Sequence, residues 1–192
     1  MASFMVTVGI SNRHIHLSQQ HIEELFGAGH TLTRTKDLSQ PGQFACEETV
    51  TLVGSKGSMP GVRVLGPARK ASQVELAATD TFKLGIKPPV RDSGKIEGTP
   101  GLDVEGPMGK VHMDEGVIIA ARHIHMTPED ASKHSLNDGD HVRVVVPGVR
   151  GGILEHVLIR VSSNYALDMH IDTDEGNAFG LANGMQLEVL LD

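Results

Sequence analysis

The chain has 192 residues, a single cysteine, no tryptophan and a formal net charge of −7. That charge argues against bulk nucleic-acid binding, and no apolar run approaches the roughly 18 residues needed to cross a bilayer as a helix. Cys46 alone cannot form an intramolecular disulfide, which suits a reducing compartment. A local pocket of Arg and Lys still leaves room for a small anionic ligand.

In chain order, strand-like runs come first and stay dominant. They are FMVTVGI (4–10), ETVTLVG (48–54), GVRVLG (61–66), QVELAAT (73–79), GVIIAA (116–121), HVRVVVP (141–147), ILEHVLIRVS (153–162) and MQLEVLL (185–191). Several alternate with period two between Gly or Pro clusters. Helical periodicity is confined to two places. QQHIEELFG carries Ile22, Leu25 and Phe26 on one face, with Ser18 as N-cap and Gly27 as stop. TPEDASKHSL starts with Thr127 as N-cap, Pro128 in the first helical position and Asp130 closing a capping box. Residues 27–47 and 88–115 read as long connections, with 87–101 the most loop-like. The expected class is mainly β, with barrels or sandwiches capped by short helices. The N-terminus MASFMVTVGI has no basic region and no cleavage site, so no signal peptide is expected and the cytoplasm is the expected location.

The motif that stands out is written twice. SNRHIHLS (11–18) is echoed by AARHIHMT (120–127), and each copy precedes a Ser/Thr-capped helix. On a strand, residues i and i+2 share a face, so His14 with His16, and His123 with His125, present paired imidazoles. Neutral imidazole suits zinc and other first-row metals. One such pair is better explained by buried, hydrogen-bonded histidines; two in matched contexts favour metal. His170, in the carboxylate-rich DMHIDTDEGNA, is a candidate extra ligand. His21, His30, His112, His134, His141 and His156 lie among polar or turn residues and read mostly as solvated.

RVLGPARKASQVE (63–75) gathers Arg63, Arg69 and Lys70 around a Gly-Pro turn. Arg is the side chain for bidentate contact with phosphate or carboxylate. Glu75 lies in an apolar run, where a carboxylate needs a partner or a metal, unless alternation turns it to solvent. RDSG (91–94) is either a turn or an anion-binding loop, and DTDEGNA (172–178) either binds a cation or is turn chemistry.

Read together and in order, SNRHIHLS, RVLGPARKASQVELA, RDSG, ARHIHMTPEDA and HIDTDEGNA resemble the PduL-type phosphate acyltransferases over nearly the whole chain. That family is associated with propanediol-using bacterial microcompartments. The resemblance implies two β-barrels capped by short helices, with the active site between them. One barrel would comprise residues 1–12 and 121–192, the other 13–120. It implies interconversion of short-chain acyl-CoA (propanoyl or acetyl) and phosphate with acyl phosphate and CoA. It also implies two divalent metal ions, usually zinc. By motif position, His14, His16 and Glu75 would hold one metal and His123, His125 and His170 the other. Arg69 would grip phosphate, and Lys36, Arg63, Phe82, Ser93 and Asn177 would contact coenzyme A. On this reading the first metal meets the CoA sulfur, and the second, with Arg69, orients phosphate. The leading arginines, Arg13 and Arg122, receive no role.

Family members targeted to compartments carry an N-terminal amphipathic extension. Here strand character begins almost at Met1, so a free cytoplasmic enzyme is expected, with a microcompartment role left to another route. Base rates for soluble assemblies point to a homodimer. The rival readings are a zinc thioesterase using water as acceptor and a non-enzymatic cupin-like metal-binding barrel. A cupin places its Glu a few residues after H-x-H, whereas Glu75 is far from both pairs. An amidohydrolase also uses H-x-H, but needs a (β/α)₈ barrel of ~250 residues.

Overall fold

The computed structural model describes residues 3–191. It is mainly β, with four short helices. In chain order the elements are β1 (Ser3–Ser11), β2 (His14–Ser18), α1 (Gln19–Phe26), β3 (Arg34–Asp37), β4 (Phe44–Val53) and β5 (Ser58–Arg69). Then come β6 (Gln73–Glu75), α2 (Ala78–Leu84), β7 (Val90–Arg91), β8 (Leu102–Glu105), β9 (Lys110–Met113) and β10 (Val117–Ala120). The last set is β11 (His123–Met126), α3 (Pro128–His134), β12 (His141–Val146), β13 (Gly152–Val161), β14 (Asp168–Asp172), α4 (Thr173–Phe179) and β15 (Gln186–Leu190).

The chain divides into two compact units. The first takes the chain up to Ser11, then Ser39–Pro41, then Ala121 onward; the second takes Asn12–Leu38 and Gly42–Ala120. In the first unit six strands close a barrel in the order β1-β14-β11-β13-β12-β15. Closure leaves no sheet edge to protect. Its interior is aliphatic: Val6, Val8, Ile124, Val144, Ile159, Met169, Leu187 and Val189 are all buried. In the second unit the sheet runs β7-β10-β6-β2-β5-β4-β8-β9, with β3 beside β4, and curls into a half-barrel. Ile15, Leu17, Leu25, Cys46, Leu52, Val64 and Val74 fill its concave core.

Local chemistry explains the helix starts. Ser18 caps α1 by accepting from the His21 N–H at 3.2 Å. Thr127 and Asp130 form a reciprocal capping box on α3, with Pro128 in its first turn. Two further helices were not expected. The run 73–79 stops being a strand at Glu75 and turns into α2. The acidic stretch 172–178 is not a loop; Asp172 and Glu175 form the capping box of α4. The connection 27–47 holds β3 and the start of β4, and 88–115 holds β7, β8 and β9. The Gly-Pro stretch expected to turn lies inside β5. There the pairing with β2 slips between His16↔Leu65 and Ser18↔Arg69, and the bulge absorbs Gly66–Pro67, a cis peptide. Arg69 lies at the end of the strand, opposite Ser18 of β2.

The apolar residue between each pair of histidines anchors its strand. Ile15 and Ile124 are fully buried in the two cores, so the flanking histidines must face the other way. Ile15→Ala and Ile124→Ala are each expected to cost about 2–5 kcal/mol in chemical denaturation, the range for cavities in aliphatic cores.

Candidate metal centres

Sheet register assembles the first donor set. Antiparallel pairing of β2 with β6 puts His14 opposite Glu75 and His16 opposite Gln73. The alternate row, Ile15 against Val74, goes into the core. Paired residues point to one face, so the two imidazoles and the carboxylate meet. One donor atom from each of His14, His16 and Glu75 lies within 4.8 Å of the others.

The second set is built the same way. In β11 and β14, His123 faces His170 and His125 faces Asp168, while Ile124 and Met169 go inward. Donor atoms of His123, His125 and His170 again lie within 4.8 Å of one another. In both units the first histidine of H-x-H is opposite the third donor.

Hydrogen bonds fix which atoms face the centre. His14 Nδ1 is 2.8 Å from the Asn12 carbonyl, and His123 Nδ1 is 2.7 Å from the Ala121 carbonyl. A carbonyl only accepts, so each Nδ1 donates, and the Nε2 of the neutral ring carries the lone pair. His14 Nε2 is 3.5 Å from Glu75 Oε2. Two ligand atoms about 2.0–2.1 Å from a tetrahedral ion lie roughly 3.3 Å apart, so this spacing fits a shared metal. The other carboxylate oxygen is occupied: Glu75 Oε1 accepts from Gln73 Nε2 at 2.7 Å and from Ser93 Oγ at 2.8 Å. His16 Nδ1 is buried without a hydrogen-bond partner among the described residues, as a ring reserved for another ligand would be. On the second set, His170 Nε2 donates to the Asp168 carboxylate at 3.0 Å, and Ser39 Oγ lies 3.3 Å from the same nitrogen. That bond holds the ring as a carboxylate–histidine pair does beside zinc, leaving Nδ1 as the donor. Gly9 is opposite His170 in β1, and a Cβ there would come within 3.2 Å of the imidazole. Glycine there spares the imidazole that tight contact. Both sets fit a divalent metal such as zinc by donor type and by the closeness of their donor atoms.

Gln73 and Asp168 were not picked out from the sequence. Each stands two residues before the third donor and orients it. The only local signal is a polar residue at i−2 on a strand, which becomes informative once the strand partners are known.

The electrostatics fit ligands rather than acids. Burial holds His16 well below the ordinary imidazole range, and His14 and Arg69 push the same way. Burial alone would lift Glu75, but His14, His16, the Ser93 hydroxyl and Arg69 outweigh it and hold the carboxyl at about 2. Arg69 therefore acts on the first donor set, within the same unit, and its Nη1 is 3.4 Å from Ser93 Oγ. The Ser93 loop is tied down further by Gly94 N–H donating to Gln73 Oε1 at 2.8 Å.

The five residues considered for coenzyme A are less concentrated. Lys36 is exposed on β3, Phe82 is exposed on α2, and Ser93 sits in the loop after β7. Arg63 is on the same rung as His14, and its guanidinium donates to the Cys46 and Glu47 carbonyls. Asn177 is exposed on α4, in the first unit. Of the histidines read as solvated, His112, His141 and His156 are exposed, whereas His30 is half-buried and 2.8 Å from Glu48.

Comparison with known proteins is consistent over almost the whole chain. The family model for phosphate propanoyltransferase matches residues 7–182. A phosphate propanoyltransferase of Thermotoga maritima is 55% identical over 180 residues, covering 93% of this chain and 86% of the relative. One from Rhodobacter capsulatus is 54% identical over 185 residues, covering 96% and 86%. One from Rhodopseudomonas palustris is 56% identical over 180 residues, covering 94% and 80%.

The lowered His16 has a measurable consequence in metal-free protein. A histidine that is neutral when folded takes up a proton more readily when unfolded, so stability falls as pH drops through about 6.5. Between pH 7.5 and 5.5 the Tm of the chelator-treated wild type is expected to decline more steeply than that of His16→Gln. Parallel slopes would show that His16 is not held neutral.

Proposed function

The chain belongs to the phosphate propanoyltransferase family and is a phosphate acyltransferase; from that premise we propose direct attack of phosphate on an acyl-CoA thioester, assisted by two bound divalent metal ions. The observation that carries this reading is the pair of matched donor sets, one of them beside Arg69. Held by His14, His16 and Glu75 and by His123, His125 and His170, zinc would supply Lewis acidity for a polarised oxygen and a thiolate leaving group.

The chain's own residues do the positioning. Arg69 keeps its charge at every working pH, and its planar fork matches two phosphate oxygens. Holding phosphate there leaves a third oxygen to attack and removes much of the entropic cost of a two-substrate reaction. A phosphate oxygen forms the new bond to the acyl carbon, the carbon–sulfur bond breaks, and CoA leaves as thiolate. Gln73 and the Ser93 hydroxyl keep Glu75 in one orientation throughout. Coenzyme A is assigned to Lys36 and Arg63 for its phosphates, to the exposed Phe82 ring for its base, and to the Ser93 loop and Asn177. The acyl groups proposed are propanoyl and acetyl.

No enzyme nucleophile is needed. Cys46 is fully buried in the half-barrel core, and burial, helped by Glu48, pushes its thiol up to about 11. A thiol in that state is a poor acyl carrier. Ser72 Oγ is 2.8 Å from His21 Nδ1, yet it is buried and already accepts the Ser18 N–H.

Free thiol release from propanoyl-CoA and acetyl-CoA, with and without phosphate, tests the reaction. Release is expected only with phosphate; release at the same rate without it would make the protein a thioesterase. Arg69→Ala is expected to lower turnover by roughly 10²–10³-fold, the scale for losing one preorganised charged contact. Cys46→Ala is expected to keep most activity. A fall to the Arg69→Ala level would overturn direct attack.

A further inference from the structure

The arginine that opens each R-H-I-H is engaged in the same way in both units. Arg13 Nε and Nη2 lie 2.9 and 2.8 Å from Asp80 Oδ1, and Arg122 Nη1 lies 3.1 Å from Glu175 Oε1. Each acid stands five residues after the third donor of its set, Glu75 or His170, in the first turn of the helix that follows. Each also divides its two oxygens alike. Asp80 Oδ2 accepts the Ala77 N–H at 3.3 Å, and Glu175 Oε2 accepts the Asp172 N–H at 3.4 Å. Ala77 and Asp172 are the N-cap residues, two positions beyond Glu75 and His170.

One side-chain bridge therefore ties two stretches of backbone. On one side is the turn that ends the strand carrying the third donor. On the other is the peptide joining Asn12 to Arg13, or Ala121 to Arg122. The carbonyl of that peptide is the acceptor that fixes the ring of His14 or His123. A shift of the arginine would move this carbonyl, and with it the imidazole, relative to the third donor. The acid differs between units, Asp against Glu, and so does the third donor, Glu against His; the bridge is the same. Asp80 is itself buried, so its pairing with Arg13 is needed once the helix is in place.

We propose that Arg13 and Arg122 are positioning residues, each setting the metal affinity of its own donor set through the acid at the start of the following helix. This rests on the reading that both sets hold a metal.

The test isolates each set. His123→Ala/His125→Ala leaves only the first set, and His14→Ala/His16→Ala only the second. Zinc dissociation constants are measured against a competing chelator, with cobalt absorption spectra as a second readout and the Tm of each metal-free protein as control. Arg13→Gln is expected to weaken zinc at the first set about 10–100-fold, as loss of an outer partner of a ligand does. It should leave the second set unchanged, and Arg122→Gln should do the reverse. Arg13→Lys should restore part of the loss, and Asp80→Asn should add little to Arg13→Gln if the pair acts as one unit. A lower Tm with unchanged affinity and cobalt spectrum would make the bridges purely structural and overturn the inference alone. Absence of zinc binding by the wild type would overturn both the inference and the metal reading.

Discussion

Everything at the candidate centres depends on strand register. His14 opposite Glu75, and His123 opposite His170, are consequences of how two short antiparallel pairs align. Side chains alternate with period two, so a slip of one residue would send Ile15 or Ile124 outward and the histidines into an aliphatic core. Each core thus protects its own donor set. Burial of Ile15 with Val74, and of Ile124 with Met169, makes the correct alignment much more favourable than its neighbours. The donors are polar groups that gain little from their own burial; the apolar residues between them fix where they stand.

The two units repeat this solution down to single atoms. In each, a residue at i−2 orients the third donor, Gln73 for Glu75 and Asp168 for His170. In each, the first imidazole donates to the carbonyl two residues back. The differences are chemical. The first set contains a carboxylate and lies in the field of Arg69; the second is all imidazole, with its negative charge one step removed on Asp168. A carboxylate ligand lowers the net charge of its metal, and three neutral imidazoles leave it higher. The sets are alike in construction and unlike in electrostatics.

Much of this was legible in the sequence, for identifiable reasons. Alternation and Gly/Pro punctuation carried the mainly β class, because most core strands here face a core on one side only. Ser18 and Thr127 announced α1 and α3, because capping chemistry is local. The helix α2 escaped because Ala77 offers no capping side chain and the apolar run QVELAA continues across the strand end. For α4 the signal was present in Asp172 and Glu175, the spacing of a capping box, but a cluster of acids also reads as a turn. Strand β3 carries four exposed residues and so has no apolar pattern to read. Gln73, Asp168, Asp80 and Glu175 were invisible as site residues because their roles exist only once distant strands are paired. The repeated R-H-I-H pointed to paired imidazoles, while the reason for its arginine lay in helices that the pattern did not announce.

The proposed function needs two metal ions, each held by its own matched register. Elemental analysis of the purified protein tests this most directly. Two zinc equivalents per chain are expected in the wild type, falling to one in Glu75→Gln and to one in His170→Ala, with each variant still folded. A wild type that retains less than one equivalent after zinc loading, or a single substitution that empties both sets, would contradict it.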